Sequence, residues 1–200
     1  MSNLNKQELD ELLKLKGQIR GVVFYTDANY VLEKEGDDGL KKLEKRVKDF
    51  NYPIDYRKTD KTTYFPVGLR AISLILIKDT FNWSDEEIRK MGWNAPSISP
   101  IIKIFMRFFS SVKMIAEKVP NMWTNHYHNI GKLSAVTDEK KKYFILKLED
   151  FKVHHLFCVY LSGYFTRVVS FALNTKKIDC RETKCSFRGD KYDEFTITWE

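Results

Sequence analysis

The 200-residue chain is short of the residues that staple or punctuate a fold, with three cysteines, five prolines and nine glycines. Three scattered thiols (Cys158, Cys180 and Cys185) exclude a disulfide framework and suit a reducing compartment. The low proline and glycine content excludes collagen-like and low-complexity chains. Long apolar runs are absent too. The longest uncharged stretch, Val153 to Thr166, stops at Arg167, short of the roughly 20 residues that a bilayer-spanning helix needs. The N-terminus, Met-Ser-Asn-Leu-Asn-Lys-Gln-Glu-Leu-Asp, lacks the apolar centre of a secretion signal. A cytoplasmic protein with no membrane span is expected. No nucleophile elbow, phosphate loop, dinucleotide fingerprint or His-Glu-x-x-His pair occurs. No catalytic residue is therefore assigned, and a non-enzymatic role is the expectation.

What is present is enough apolar residue, 43% of the chain, to bury one substantial core. One domain over residues 1–200 is expected, with a helical part at 1–120 and a hairpin-helix-hairpin part at 121–200. The net charge of +7 comes from 34 basic residues set against 27 acidic ones. They interleave, as in Lys41-Lys42-Leu43-Glu44-Lys45-Arg46-Val47-Lys48-Asp49, which marks a solvated helix face rather than a nucleic-acid surface.

Hydrophobic periodicity predicts helices first. Segments 5–15 and 22–35 are helical, and Gly36-Asp37-Asp38-Gly39 separates the second from a third ending near Phe50. Residues 66–81 are apolar almost all round and belong in the core. Ser84-Asp85-Glu86-Glu87 reads as a capping box opening a short helix that stops at Gly92. A further amphipathic helix is expected over 99–119. The period then changes. Leu133 to Val136 and Tyr143 to Leu148 form a hairpin, a helix runs from Val153 to Asn174, and Cys180 to Trp199 form a last hairpin. The fold class is α+β: N-terminal helices packed on a C-terminal antiparallel sheet of about four strands, with one long helix between two hairpins.

In the last hairpin, a turn centred on Gly189 sets Cys185 opposite Asp193 and Thr183 opposite Phe195. Cys180 and Cys185, five apart on one strand, then point to opposite faces and share no metal unless a bulge intervenes. The run Glu182-Thr-Lys-Cys185 followed by Gly189-Asp190-Lys-Tyr-Asp193-Glu194-Phe195 resembles the C-terminal signature of vinyl-reductase-type domains, Glu-x-x-Cys followed by Gly-Asp-x-x-Cys-x-Phe. That superfamily of ligand-binding domains includes haem–nitric-oxide-binding sensors and vesicle-transport tethering subunits. Here the second signature cysteine is Asp193, which reduces the cross-strand thiol pair to a weak metal pair, Cys185 and Asp193. No metal is assigned.

The resemblance implies a small-molecule-sensing domain acting in signalling through a partner protein or a homodimer. Its ligand would be small and apolar or tetrapyrrole-like. The aromatic residues Phe108, Trp123, Tyr127, Tyr160 and Tyr164, with His128, are the candidate pocket. Two alternatives stand beside this: a non-enzymatic tethering module, and a haem-based nitric oxide sensor. For haem, His128 is the axial candidate and His126 a weaker one. The resemblance also implies a Tyr-x-Ser-x-Arg anchor for the propionates, and Leu146-Lys-Leu148-Glu-Asp150 supplies none of it. No cofactor is assigned, and haem is kept as the alternative. His154 and His155, about 100° apart on a helix, suit a helix start better than a metal.

Overall fold

A computed structural model describes residues 4–106, 109–175 and 177–200. The elements are α1 (Lys6–Leu12), β1 (Gln18–Arg20), α2 (Val22–Asp49), β2 (Tyr64–Pro66), α3 (Val67–Phe81), α4 (Asp85–Ile98), α5 (Pro100–Met106), α6 (Val112–His126), β3 (Tyr127–His128), β4 (Lys132–Asp138), β5 (Tyr143–Glu149), α7 (His155–Ser170), β6 (Ile178–Lys184) and β7 (Asp193–Trp199). The class is α+β as expected. A four-stranded antiparallel sheet has the order β4-β5-β7-β6, and a second, three-stranded sheet has the order β2-β1-β3.

Local chemistry starts the helices. Ser84 Oγ accepts from the Glu87 N–H at 3.3 Å, Ser111 Oγ from the Met114 N–H at 3.2 Å, and His154 Nδ1 from the Leu156 N–H at 3.3 Å. The capping box at Ser84 is only half made. The Glu87 carboxylate does not reach back; it accepts from the Tyr30 hydroxyl at 2.6 Å and pairs with Lys34 at 3.0 Å, tying α4 to α2. Gly36 breaks α2 as the sequence suggests, with φ 71° and ψ −174° inside the helical run.

Three sequence expectations are corrected. First, α4 runs through Gly92 to Ile98. Gly92 is there for contact and not as a stop: an added Cβ would strike the Tyr160 carbonyl of α7, and one at Gly163 would strike the Arg89 carbonyl of α4. Second, the helix expected over 99–119 is two helices, α5 and α6, because Ser111 caps a new start. Third, α6 continues past Pro120 to His126. An internal proline costs about 3 kcal/mol, and the buried stripe of Val112, Ile115, Val119 and Trp123 offsets it.

The small sheet was not foreseen. β1 pairs with β2 (Ile19 opposite Phe65) and with β3 (Ile19 opposite Tyr127), so three short strands fasten the end of α6 to the N-terminal part. In the larger sheet, Phe144, Leu146 and Leu148 of β5 and Phe195 and Ile197 of β7 alternate inward. Helix α7 lies on this face, with Phe165 edge-on to Phe195 at 5.3 Å. No described helix is long and apolar enough to cross a membrane.

Gly163→Ala tests the α4–α7 crossing. In an ordinary helix the change stabilises by roughly 0.8–1 kcal/mol; here the collision should destabilise by about 1–3 kcal/mol. Urea unfolding midpoints measure the sign, and a rise in stability would contradict the close crossing.

Candidate functional site

Val119, Met122, Trp123 and His126 follow the three- and four-residue spacing of one helix face, and all four line an internal cavity of about 340 Å³. The wall opposite is α7, through Tyr160, Leu161, Tyr164, Phe165 and Val168. Val22, Val23 and Thr26 of α2, Ala95 of α4, Ser99 before α5, Ile101, Ile102 and Phe105 of α5, Tyr127 of β3 and Leu133 of β4 also line it. The volume lies in the lower part of the range of about 300–1,000 Å³ that holds small molecules.

Polar groups gather at one end. Arg20, Thr62, Asn125 and His126 line the cavity there, and Thr62 and Asn125 are exposed, which marks the opening. His126 is half-buried against the cavity, with its ring edge-on to Tyr127 at 5.0 Å. Among the described residues no group hydrogen-bonds its ring nitrogens. Burial pushes the imidazole down to about 3, and the nearby Arg20 and Arg70 add to the effect. The ring is therefore neutral near pH 7, with a free lone pair.

Trp123 is fixed. Its indole N–H donates to the carbonyls of Ile130 and Gly131 at 3.3 and 3.2 Å, and its ring stacks on Tyr127 at 3.9 Å. Behind the wall lies a buried polar chain: the Arg70 guanidinium pairs with Asp27, Ser73 bonds Asp27 at 3.0 Å and Tyr56 at 2.9 Å. Arg70 sits over the Tyr160 ring at 4.6 Å. Burial raises the Asp27 carboxyl to about 6, with Arg70 opposing the rise.

The candidate residues divide plainly. Trp123, Tyr127, Tyr160 and Tyr164 stand together on the cavity wall. Phe108 lies outside the described residues. His128, preferred over His126 in the sequence, is not on this wall. It is the outward residue of β3, stacks on Tyr64 at 3.9 Å and borders a separate, more open recess with Lys16 and Asn129. It is His126 that α6 carries inward on its last turn to line the cavity. Arg20 was missed altogether; a three-residue strand offers no periodicity to reveal it.

The terminal hairpin holds a second cluster. A bulge between Glu182 and Lys184 shifts the register, so Glu182 and not Thr183 faces Phe195. The odd spacing of Cys180 and Cys185 is thereby undone, and both thiols are buried toward α7. The tight turn is replaced by a 3-10 turn at Ser186–Arg188 and Gly189 at φ 98°. Asp190 accepts from the Cys185 N–H at 2.8 Å, and Asp193 from the Ser186 N–H at 2.6 Å. Cys185 and Asp193 come together, and Cys158 of α7 and Glu182 join them. The four ligand atoms lie within 4.8 Å of one another.

Burial raises the Cys158 and Cys185 thiols and the Asp193 carboxyl, and neighbouring carboxylates raise them further. Among the described residues no N–H or O–H group donates to the buried Glu182 Oε1, which faces the Cys158 and Cys185 thiols, while Oε2 meets Arg188 at 3.3 Å. Two thiols and two carboxylates at this separation suit a thiophilic divalent cation such as zinc, which would displace the retained protons.

No family's sequence profile matches the chain, and no curated protein matches it. Solved structures do. An H-NOX protein from S. oneidensis in its Fe(II)NO state shares 11% identity at a TM-score of 0.70, covering 91% of this chain and 99% of that one. The Fe(II) unliganded H-NOX protein from K. algicida gives 10%, 0.64, 91% and 97%. An NMR structure of an H-NOX domain variant from Shewanella oneidensis in its Fe(II)CO state gives 13%, 0.68, 91% and 99%. At these identities the likeness shows the fold: this chain has the fold of H-NOX domains. It does not bear on the vinyl-reductase or tethering resemblances.

The four-group cluster predicts about one zinc per chain after purification without chelator. Elemental analysis checks it, with Cys158→Ser and Cys185→Ser each expected to lose the metal. A metal-free protein that also fails to take up added zinc would contradict the assignment.

Proposed function

We propose that this chain is a small-molecule-sensing domain that holds a haem-type tetrapyrrole in the cavity, with His126 as the axial ligand. The observation that carries this is His126 itself: a neutral imidazole, without a hydrogen-bond partner among the described residues, facing a largely apolar cavity. Neutral imidazole is the form that ligates iron. The neighbours of the same fold include proteins described in Fe(II)NO and Fe(II)CO states, which supports the haem reading over an unspecified apolar ligand.

Bound haem would supply an iron with an open position for a diatomic gas. The chain's own residues do the rest. Helix α6 aims His126 from its last turn, and the doubly bonded Trp123 holds the adjoining wall. The apolar side chains of α2, α5 and α7 exclude water from the interior. Occupancy has a route to the surface through α5, whose Ile101, Ile102 and Phe105 line the cavity while Ile104 stands 63% exposed. A ligand that displaces this wall displaces that surface, which is the differential contact that signalling to a partner or second copy needs.

Haem titration of the purified chain tests the reading. A saturating Soret band at one haem per chain is expected. His126→Ala should lose the axial-ligand spectrum, and His128→Ala should keep it. Absence of uptake, or dependence on His128 instead, would refute the assignment.

A further inference from the structure

We infer that the ligand of this cavity carries an anionic end, a carboxylate on an otherwise apolar body, and that Arg20 recognises it. The inference rests on the cavity reading above. Within the wall, the interior is largely apolar, with Thr26, Ser99, Tyr160 and Tyr164 adding uncharged polar groups, and among the described residues the one cation on it, Arg20, sits at the opening beside exposed Thr62 and Asn125. An amphipathic molecule entering there places its apolar body inward and its polar end at this guanidinium.

The guanidinium is held ready. Arg20 Nε donates to the Asn125 carbonyl at 2.6 Å, and the group lies 5.0 Å from the centre of the Tyr64 ring. The Tyr64 hydroxyl donates to the same carbonyl at 2.8 Å, so one backbone oxygen fixes both side chains. Only Nε is engaged by this carbonyl, which leaves the terminal N–H groups for a bidentate partner.

No described residue supplies that partner. Arg46, Arg57 and Arg70 each pair with a carboxylate; among the described residues Arg20 pairs with none. In the loop before β2, Asp60 is held by the Thr62 N–H at 2.8 Å and hydroxyl at 2.7 Å. His126 beside it is neutral. The opening therefore presents a guanidinium without a direct ion pair among the described residues against a largely apolar interior, complementary to an apolar carboxylate. It also stands in for the propionate anchor that residues 146–150 do not supply.

Two sources share this chemistry, a tetrapyrrole propionate and a fatty acid, and paired probes separate them. Binding is measured for haem against haem dimethyl ester, and for dodecanoate against dodecanol, on the unaltered chain, Arg20→Lys and Arg20→Gln. The unaltered chain and Arg20→Lys should prefer the acid by about tenfold or more, and Arg20→Gln should not. Equal binding of acid and neutral probe by the unaltered chain, or a preference kept by Arg20→Gln, overturns the inference. The acid–ester comparison needs no variant, so a misfolded Arg20→Gln cannot obscure it. Haem taken up without preference leaves the proposed function standing and removes only the anion rule. Dodecanoate preferred over dodecanol with no haem uptake does the reverse, and binding of neither pair overturns both.

Discussion

Helices α4 and α7 meet backbone to backbone at Gly92 and Gly163, and the cavity depends on that contact. Each glycine leaves room for a carbonyl of the other helix, Tyr160 against Gly92 and Arg89 against Gly163. Side chains at either position would drive the helices apart. Held at this distance, α7 presents Tyr160, Leu161, Tyr164, Phe165 and Val168 as one wall and α4 contributes Ala95. Facing them, α6 is pinned at its end by β3 pairing with β1. The space between is left by the backbone, and side chains line it without filling it.

Electrostatics follow from the same enclosure. A buried carboxylate and a buried guanidinium are tolerable only as a pair, and Asp27 and Arg70 form one behind Tyr160. Burial, with smaller contributions from Arg20 and Arg70, keeps His126 unprotonated. The chain thus pairs a neutral, unengaged imidazole with a cation at the opening. At the far hairpin Cys158, Glu182, Cys185 and Asp193 crowd together, and burial favours the protonated forms of the two thiols and of Asp193. The set suits a divalent cation, which would satisfy it in the way Arg70 satisfies Asp27.

Much of the architecture was legible in the sequence, and the reasons are local. The alternation in Tyr143–Glu149, the all-apolar α3, the Ser84 cap and the Gly36 break each state their structure within a few residues. What was not legible depends on distant partners. Gly92 reads as a helix stop until Tyr160 is seen against it. Pro120 reads as an end until the stripe from Val112 to Trp123 is seen to be buried, and that error hid the inward turn of His126. Arg20 lies in a strand too short for any pattern. The bulge near Thr183, which helps bring two thiols and two carboxyls together, leaves no mark in composition. The aromatic wall of Trp123, Tyr127, Tyr160 and Tyr164 could be named but not assembled, because two helices and a strand supply it.

The central claim is that this cavity is built to hold one small, largely apolar molecule. Native mass spectrometry of the chain purified from its own host tests that claim most directly, since it weighs whatever the protein retains. The account predicts one organic ligand per chain, in addition to any metal, released on denaturation. A chain that carries no organic mass, and takes up neither haem nor dodecanoate when they are supplied, would contradict it.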